Sequence, residues 1–378
     1  MRILYQCNGF LLSTIGGVEV LSYHLLKELR RRGHEILVVT GRAKSDLSGP
    51  QTFNGLDLVR LDFDGAAASR NLLTLRGVKT VLAELVSSFR PDILHLNDAL
   101  LSSFFFLRGG ATGDLPRVLT LHSPIRPAGK DGLQAHLAAD ADRIVTVSLA
   151  QYDAAAAAMP ALRGKMSMIR NALPVPNLPP ADLPFAPPVL LCIGRLRSDK
   201  GFDLAIRAFA RLRDRGIVAR LTVAGDGPEK NRLEAFARDL GVDGEVEFIG
   251  WVMPDQVAPL INKATLVVMP SRWPEPFGLV AMQAAQMGRP VVACAVGGLP
   301  EVVEHGLTGL LVTPDDEHAM ADAIADILAD AASARRLGES ARQRAQERFD
   351  FSAVVDAYES VFVEAREAAA ACGRDMVG

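Results

Sequence analysis

Residues 270–283 read Pro270-Ser271-Arg272-Trp273-Pro274-Glu275-Pro276-Phe277-Gly278-Leu279-Val280-Ala281-Met282-Gln283, continuing through Gly288-Arg289-Pro290-Val291-Val292-Ala293 to Gly297-Gly298-Leu299-Pro300-Glu301. A strand end runs into a proline-stiffened loop with one carboxylate, then a short apolar helix, a buried strand and a glycine turn opening a second helix. This order brings two helix N-termini to the carboxyl edge of a sheet. Free backbone N–H groups and the helix dipole favour an anion such as a diphosphate there, and such an edge is where an open α/β sheet takes its ligand.

Apolar runs bounded by turn residues recur on both sides. Strands are expected near 3–7, 35–40, 56–61, 92–96, 117–121, 143–147 and 167–170, and again near 189–193, 220–224, 246–249, 266–269, 291–293 and 309–312. Helical patterns such as 18–32, 202–213 and 229–240 separate most of them, the alternation of an α/β, doubly wound parallel sheet. Between the two sets lies the proline-rich run 174–188. Its prolines fit neither a helix interior nor a central strand, so it reads as a stiff connector. The expected organisation is an N-terminal Rossmann-like domain over 1–173, a linker over 174–188, a C-terminal Rossmann-like domain over 189–352 and a final segment over 353–378.

A length of 378 residues exceeds one ordinary core, and 49% hydrophobic with 22% charged residues suits buried sheets. A net charge of −3 provides no field to gather nucleic acid, which is not an expected partner. Cys7, Cys192, Cys294 and Cys372 lack metal-like spacing and read as reduced thiols, mostly buried. With no signal-peptide core and no bilayer-length apolar run, a cytoplasmic protein is expected. Lys27, Arg30, Arg31 and Arg32 crowd the end of the first helix. A solvated cap on the helix dipole accounts for them; peripheral contact with acidic lipid at the inner membrane face is the sharper alternative.

Several residues carry chemistry. Gly194-Arg195-Leu196-Arg197-Ser198-Asp199-Lys200-Gly201 follows a buried strand and opens a helix. A guanidinium and an ammonium there would stabilise charge growing on a diphosphate, with an exposed basic loop as the bland reading. Gly16 and Gly17 allow close backbone approach to a ligand, or simply a tight turn. His95 and His122 fall at the ends of parallel strands, and for His95 a structural role is an even alternative. The loop 124–132 has the composition of a mobile lid. Gly225-Asp226-Gly227-Pro228 is a strand-end turn but no dinucleotide fingerprint, because Lys230 holds the place of the third glycine. Glu275 can accept both hydroxyls of a vicinal diol.

Taken together, Glu275-Pro276-Phe277-Gly278-Leu279-Val280, the run 288–293 and the run 297–301 resemble the signature of the retaining GT-B glycosyltransferases of the GT4 type, glycosyltransferase group 1. The resemblance implies two Rossmann-like domains facing a cleft, with the last helix, 354–371, crossing back to the N-domain. It implies transfer of a hexose-type sugar from a UDP-, GDP- or ADP-sugar to an acceptor hydroxyl, with retention and with no cofactor. No metal is expected, since no DxD-like acidic pair stands where an ion would bridge the phosphates. On the same ground His122 would contact the donor sugar, Arg195 and Lys200 the diphosphate beside Gly194, and Glu275 the sugar hydroxyls. Gly225 would lie by the nucleobase, and Gly16 and Gly17 would face the donor. Within the Pro276-Phe277-Gly278-Leu279 loop, the N–H groups of the last three would receive phosphate or sugar oxygens. Asn171 stands where relatives show Asn-Gly, here with Ala172 following. The family's second Glu, which grips the ribose, is replaced by Gln283, an acceptor without the charge. Glu301 would shape the phosphate pocket or cap its helix. A GT-B-fold sugar-nucleotide epimerase and a sugar-nucleotide-binding protein without turnover are the alternatives. Nucleobase, sugar, acceptor and oligomeric state stay open.

Overall fold

Alternating buried runs and helices build two separate sheets in the computed structural model, which describes residues 1–10, 16–41, 50–69, 71–108, 110–124 and 132–371. The chain divides into two units, Met1–Arg170 with Ser352–Gly378, and Asn171–Phe351.

The first unit holds β1 (Arg2–Cys7), β2 (Glu35–Gly41), β3 (Pro50–Phe53), β4 (Leu56–Leu61), β5 (Ile93–Asn97), β6 (Arg117–Leu121), β7 (Arg143–Thr146) and β8 (Met166–Met168), ordered β3-β4-β2-β1-β5-β6-β7-β8. Near-continuous apolar strands such as Ile3-Leu4-Tyr5 are buried on both faces, as parallel sheets require. Only β3 is antiparallel, folding back on β4 at the sheet edge. The sequence did not announce it: Pro50-Gln51-Thr52-Phe53 has no apolar run, and only an edge strand accommodates such a proline.

The final helix, Phe351–Ala371, belongs to this unit. Phe362 and Tyr358 pack on the His95 ring at centroid distances of 5.5 Å each. Arg32 reaches Asp356 and, at 2.6 Å, Glu359, which also accepts from His34 at 2.7 Å. Arg32 is therefore not a solvated cap but a rivet for that helix, while Arg31 pairs with Glu28 at 2.7 Å.

The second unit holds β9 (Val189–Ile193), β10 (Arg220–Ala224), β11 (Val246–Gly250), β12 (Leu266–Met269), β13 (Val291–Cys294) and β14 (Gly309–Val312), ordered β11-β10-β9-β12-β13-β14 and all parallel. From β9 the chain builds outward through β10 and β11, then returns to β9's other side with β12. The switch point thus lies between β9 and β12. Residues 174–188 are packed on this unit: Leu183 is buried in its core, Ala181 N–H donates to Asn262 Oδ1 at 2.8 Å, and Asn262 Nδ2 donates to Pro179 O at 3.0 Å. The prolines form a strap laid on the unit, not a free-standing connector.

Among the described residues no helix is long and apolar enough to cross a membrane. Cys7, Cys192 and Cys294 are buried and free, and burial pushes each thiol up to about 12; Cys372 lies outside the described residues.

Phe362 is fully buried, so Phe362→Ala is expected to cost the first unit about 3–5 kcal/mol. A denaturant titration followed by a probe in that unit measures it. A midpoint at the wild-type value would show that the helix does not stabilise the sheet.

Candidate active site

At the switch point of the second unit, the loop leaving β9 carries Arg195 and Lys200 and the loop leaving β12 carries Glu275. Lys200 Nζ donates to Glu275 Oε1 at 2.6 Å, and Ser271 Oγ donates to the same oxygen at 2.6 Å. Oε2 has no hydrogen bond among the described residues. Glu275 is largely buried and Lys200 half-buried, so the pair is shielded enough to hold its geometry yet open on one side. An ammonium has three donors, so two remain on Lys200. Arg195 is exposed, and its side chain makes no ion pair or hydrogen bond among the described residues. Its guanidinium is available at the edge.

Gly278 precedes the helix Leu279–Gln286, and no side chain caps that start. Backbone N–H groups of Phe277, Gly278 and Leu279 are therefore unclaimed among the described residues, an anion-favouring arrangement. Phe277 buries its ring edge-on against Phe349 at 5.4 Å, so only its backbone is available. Pro276 is half-buried beside it, and Gln283 lies partly exposed in the second turn of the helix. The second helix expected after Gly298 is a single turn, Leu299–Val302, with Glu301 partly exposed on it. One turn carries little dipole.

Backbone contacts and ion pairs hold these loops together. Gly298 N–H donates to Glu275 O at 2.7 Å, while Gly297 has φ 55° and a Cβ there would lie 2.2 Å from Glu275 O. Only glycine satisfies both conditions. Gly225 is held likewise: a Cβ would lie 1.9 Å from Gly194 O, so the two predicted glycines pack on one another. Asp199 O accepts from Arg272 N and Trp273 N at 3.0 and 3.1 Å, and Arg272 forks onto Asp203 at 2.7 and 2.8 Å while also reaching Asp315. Asp203 in turn meets Arg207 at 3.1 Å, Arg207 meets Glu317 at 2.6 Å, and Glu317 meets Arg211 at 2.9 Å. This neutral ladder joins the loop of Glu275 to the helices Phe202–Asp214 and Glu317–Ala329.

The first unit has its own polar cluster at the carboxyl ends of β5 and β6. His122 Nε2 meets Asn97 Oδ1 at 2.9 Å, Asn97 Nδ2 donates to Ser22 Oγ at 2.9 Å, and Tyr5 OH donates to the same hydroxyl at 2.8 Å. Ser123 Oγ donates to Asp98 Oδ2 at 2.5 Å. Burial holds His122 down to about 4, outweighing the nearby Asp98 carboxylate, so the imidazole is neutral at ordinary pH. His95 is a correction. It sits inside β5, fully buried, edge-on to Tyr5 at 4.9 Å and donating or accepting with Thr120 Oγ1 at 2.8 Å. Burial, and less strongly His122, push it down to about 3. His95 shares its face of β5 with Asn97 but stands two residues earlier, where Tyr358 and Phe362 cover it, so Asn97 rather than His95 reaches the strand end. Gly16 precedes the uncapped helix Gly17–Arg31. Asn171 is buried, beyond the end of β8 at Met168. Residues 125–131 of the expected lid lie outside the described residues.

Comparison with known proteins accords with this architecture. Family models described as glycosyl transferases group 1 and as glycosyltransferase family 4 match residues 180–344 and 15–175. The chain belongs to the group 1 glycosyltransferases. Glycogen synthase of Mycobacterium tuberculosis is 29% identical over 97% of this chain and 95% of its own. D-inositol 3-phosphate glycosyltransferase of Corynebacterium aurimucosum is 37% identical over 48% of this chain and 44% of its own. Two solved structures share the GT-B fold of this glycosyltransferase: sucrose-phosphate synthase from Thermosynechococcus elongatus, with a TM-score of 0.80, 23% identity and 96% and 98% of the two chains covered, and Anabaena HepE in complex with UDP and glucose, with a TM-score of 0.76, 22% identity and 96% and 99% covered.

The sequence points to Arg195, Lys200, Glu275 and His122 but not to the side chains set around them, Ser271, Arg272, Asn97 and Ser22. Ser271 and Arg272 lie in the quoted stretch, so their polarity at a strand end was a usable signal. Ser22, in the middle of an amphipathic helix and 75 residues from Asn97, gave none.

Two outcomes are expected. Gly297→Ala should lower the melting temperature far more than Gly306→Ala, which has φ 78° but open space around it; equal losses would mean the contact with Glu275 is not a constraint. Both imidazoles, His95 fully buried and His122 partly so, are less basic folded than unfolded, so the unfolded chain binds more protons below about 6.5 and stability falls as pH drops toward 4. From pH 7 to 5 His95 alone should remove about 2 kcal/mol, measurable by denaturant titration, and a flat profile would contradict its burial.

Proposed function

We propose that the chain transfers a hexose-type sugar from a nucleoside diphosphate to an acceptor hydroxyl, with retention of configuration and without a metal ion. The observation that carries this reading is the shared hydrogen-bonding of Lys200 and Glu275 at the β9/β12 switch point, beside an uncapped helix start. A carboxylate suited to sugar hydroxyls and cations suited to phosphate stand next to one another there. The bound UDP and glucose of Anabaena HepE support a uridine nucleotide as the first donor to try.

In the proposed reaction the acceptor oxygen bonds to the anomeric carbon on the side from which the diphosphate oxygen departs, and the hydroxyl proton passes to that diphosphate. Negative charge on the leaving group grows as the bond breaks. Arg195, the two remaining donors of Lys200 and the N–H groups of Phe277, Gly278 and Leu279 stabilise it, which is the work a divalent ion does elsewhere. Glu275 holds sugar hydroxyls through its open oxygen, and Gln283 accepts from the ribose with a neutral amide. Gly194 and Gly225 border the nucleotide, and Gly16 and Gly17 offer a backbone edge in the first unit. His122, neutral and partly exposed, is suited to hydrogen-bond a hydroxyl. Asn171 and Glu301 have supporting places. No resident cofactor is required by this chemistry.

Gln283 favours one second reading, a protein that binds the sugar nucleotide without turnover. Incubation with labelled UDP-, GDP- and ADP-sugars and hydroxyl acceptors separates the readings: transferred label supports the proposal, an isomerised donor indicates an epimerase, and tight binding without product indicates the binder. Arg195→Ala and Glu275→Ala should each lower kcat by about 100-fold or more, Arg195→Ala with little change in melting temperature and Glu275→Ala with a lower one because Lys200 and Ser271 lose their acceptor, and a chelator should leave the rate unchanged. Near-normal rates in either variant, or loss of activity on chelation, would overturn the mechanism.

A further inference from the structure

The structure offers a buried hydroxyl whose position bears on how Glu275 meets its ligand. Ser271 is almost wholly buried, and its Oγ lies 2.6 Å from Glu275 Oε1, the oxygen that also accepts from Lys200 at 2.6 Å. Two donors on one carboxylate oxygen fix the plane of the carboxyl group and leave the other oxygen to the outside. Ser271 is itself immobile. It sits at the end of β12, next to Arg272, which is clasped by Asp203 and Asp315 and whose N–H donates to Asp199 O at 3.0 Å. That last bond joins the serine's loop to the loop of Lys200, so both donors approach Oε1 from a common frame.

We propose that Ser271 is a positioning residue for sugar recognition: with Lys200 it locks Glu275 so that Oε2 alone faces the hydroxyls of the donor sugar. The inference rests on the donor reading given above. It concerns the sugar and not the nucleotide, because the hydroxyl touches neither the arginine nor the helix start assigned to the phosphates. Lys200 alone leaves the carboxyl group free to rotate about a single bond, so removing Ser271 weakens the grip on the sugar without removing the charge.

Isothermal titration of wild type, Ser271→Ala and Ser271→Thr with UDP and with UDP-glucose tests this, followed by GDP and ADP with their glucose forms if uridine nucleotides do not bind. Losing a hydrogen bond to a charged group should weaken the glucose form about tenfold or more in Ser271→Ala. Affinity for the nucleoside diphosphate itself should stay at the wild-type value, and Ser271→Thr should restore sugar-nucleotide binding. Equal weakening of both ligands, or no weakening of either, overturns the positioning role and leaves the donor reading standing. A wild-type protein that binds none of these nucleotides overturns the donor reading and the role of Ser271 with it. Melting temperatures of the variants accompany the titrations, and a collapsed Ser271→Ala with a normal Ser271→Thr that binds both ligands like wild type supports a structural hydroxyl instead.

Discussion

A cation from the loop after β9 meets a carboxylate from the loop after β12 at 2.6 Å, where the strand order of the second sheet reverses. Strands on either side of that point diverge in connection, so their loops are separate in sequence and free to move apart unless tied. Lys200 and Glu275 tie them. The same pair settles an electrostatic conflict, since a carboxylate beside the place proposed for a diphosphate would repel it. With Lys200 already on Oε1 the local charge is balanced before any anion arrives, and Arg195 adds the surplus positive charge that a departing diphosphate needs.

Two kinds of restraint keep that pair in register, and they differ in how they fail. Ion pairs of the ladder from Asp315 to Arg211 are partly exposed, and each alone contributes little in water. Their value is collective and directional: the fork of Arg272 onto Asp203 fixes an angle as well as a distance. Backbone contacts at Gly297 with Glu275 and at Gly225 with Gly194 work by exclusion. A side chain there cannot be accommodated by rotation, because the atom it would strike is main-chain carbonyl. Loops at this edge are thus closed by shape and only aligned by charge.

Fold class was readable because buried parallel strands advertise themselves as short apolar runs between turn residues; all thirteen such runs named in the sequence end within two residues of an observed strand end, roughly the tolerance of such readings. β3 escaped because half its residues are polar and its partner is only a hairpin away. His95 differs for another reason: it lies two residues before the end of β5, on the face of Asn97, and the final helix covers it there with Tyr358 and Phe362, a long-range contact that no local pattern shows. The terminal groups Arg195, Lys200 and Glu275 were legible from charge set among glycines and prolines. Ser22, Asn97 and Arg272 act through partners many residues away, and no local periodicity encodes such pairings. The proline run 174–188 misled in the opposite direction, since stiffness was read as separation while Leu183 and Ala181 anchor it to the second unit.

The two sheet edges differ in the chemistry they present. In the second unit the edge is ionic, with Arg195, Lys200 and Glu275 beside uncapped N–H groups, and an ionic edge suits phosphates whose charge changes during reaction. In the first unit the edge is chiefly neutral: burial keeps His122 uncharged, Asn97 and Ser22 support it, and the carboxylate of Asp98 is satisfied by Ser123 and by Ala99 N–H at 2.9 Å. Neutral donors and acceptors suit hydroxyls, which ask for directional hydrogen bonds and no counter-charge. Gln283 extends that neutral character into the second unit, where the resembled family carries an acid. On the proposed donor reading, a ribose held by this amide lacks the charge-assisted part of its binding, so nucleotide recognition would lean more on the phosphates, and hence on Arg195, than with glutamate at that position.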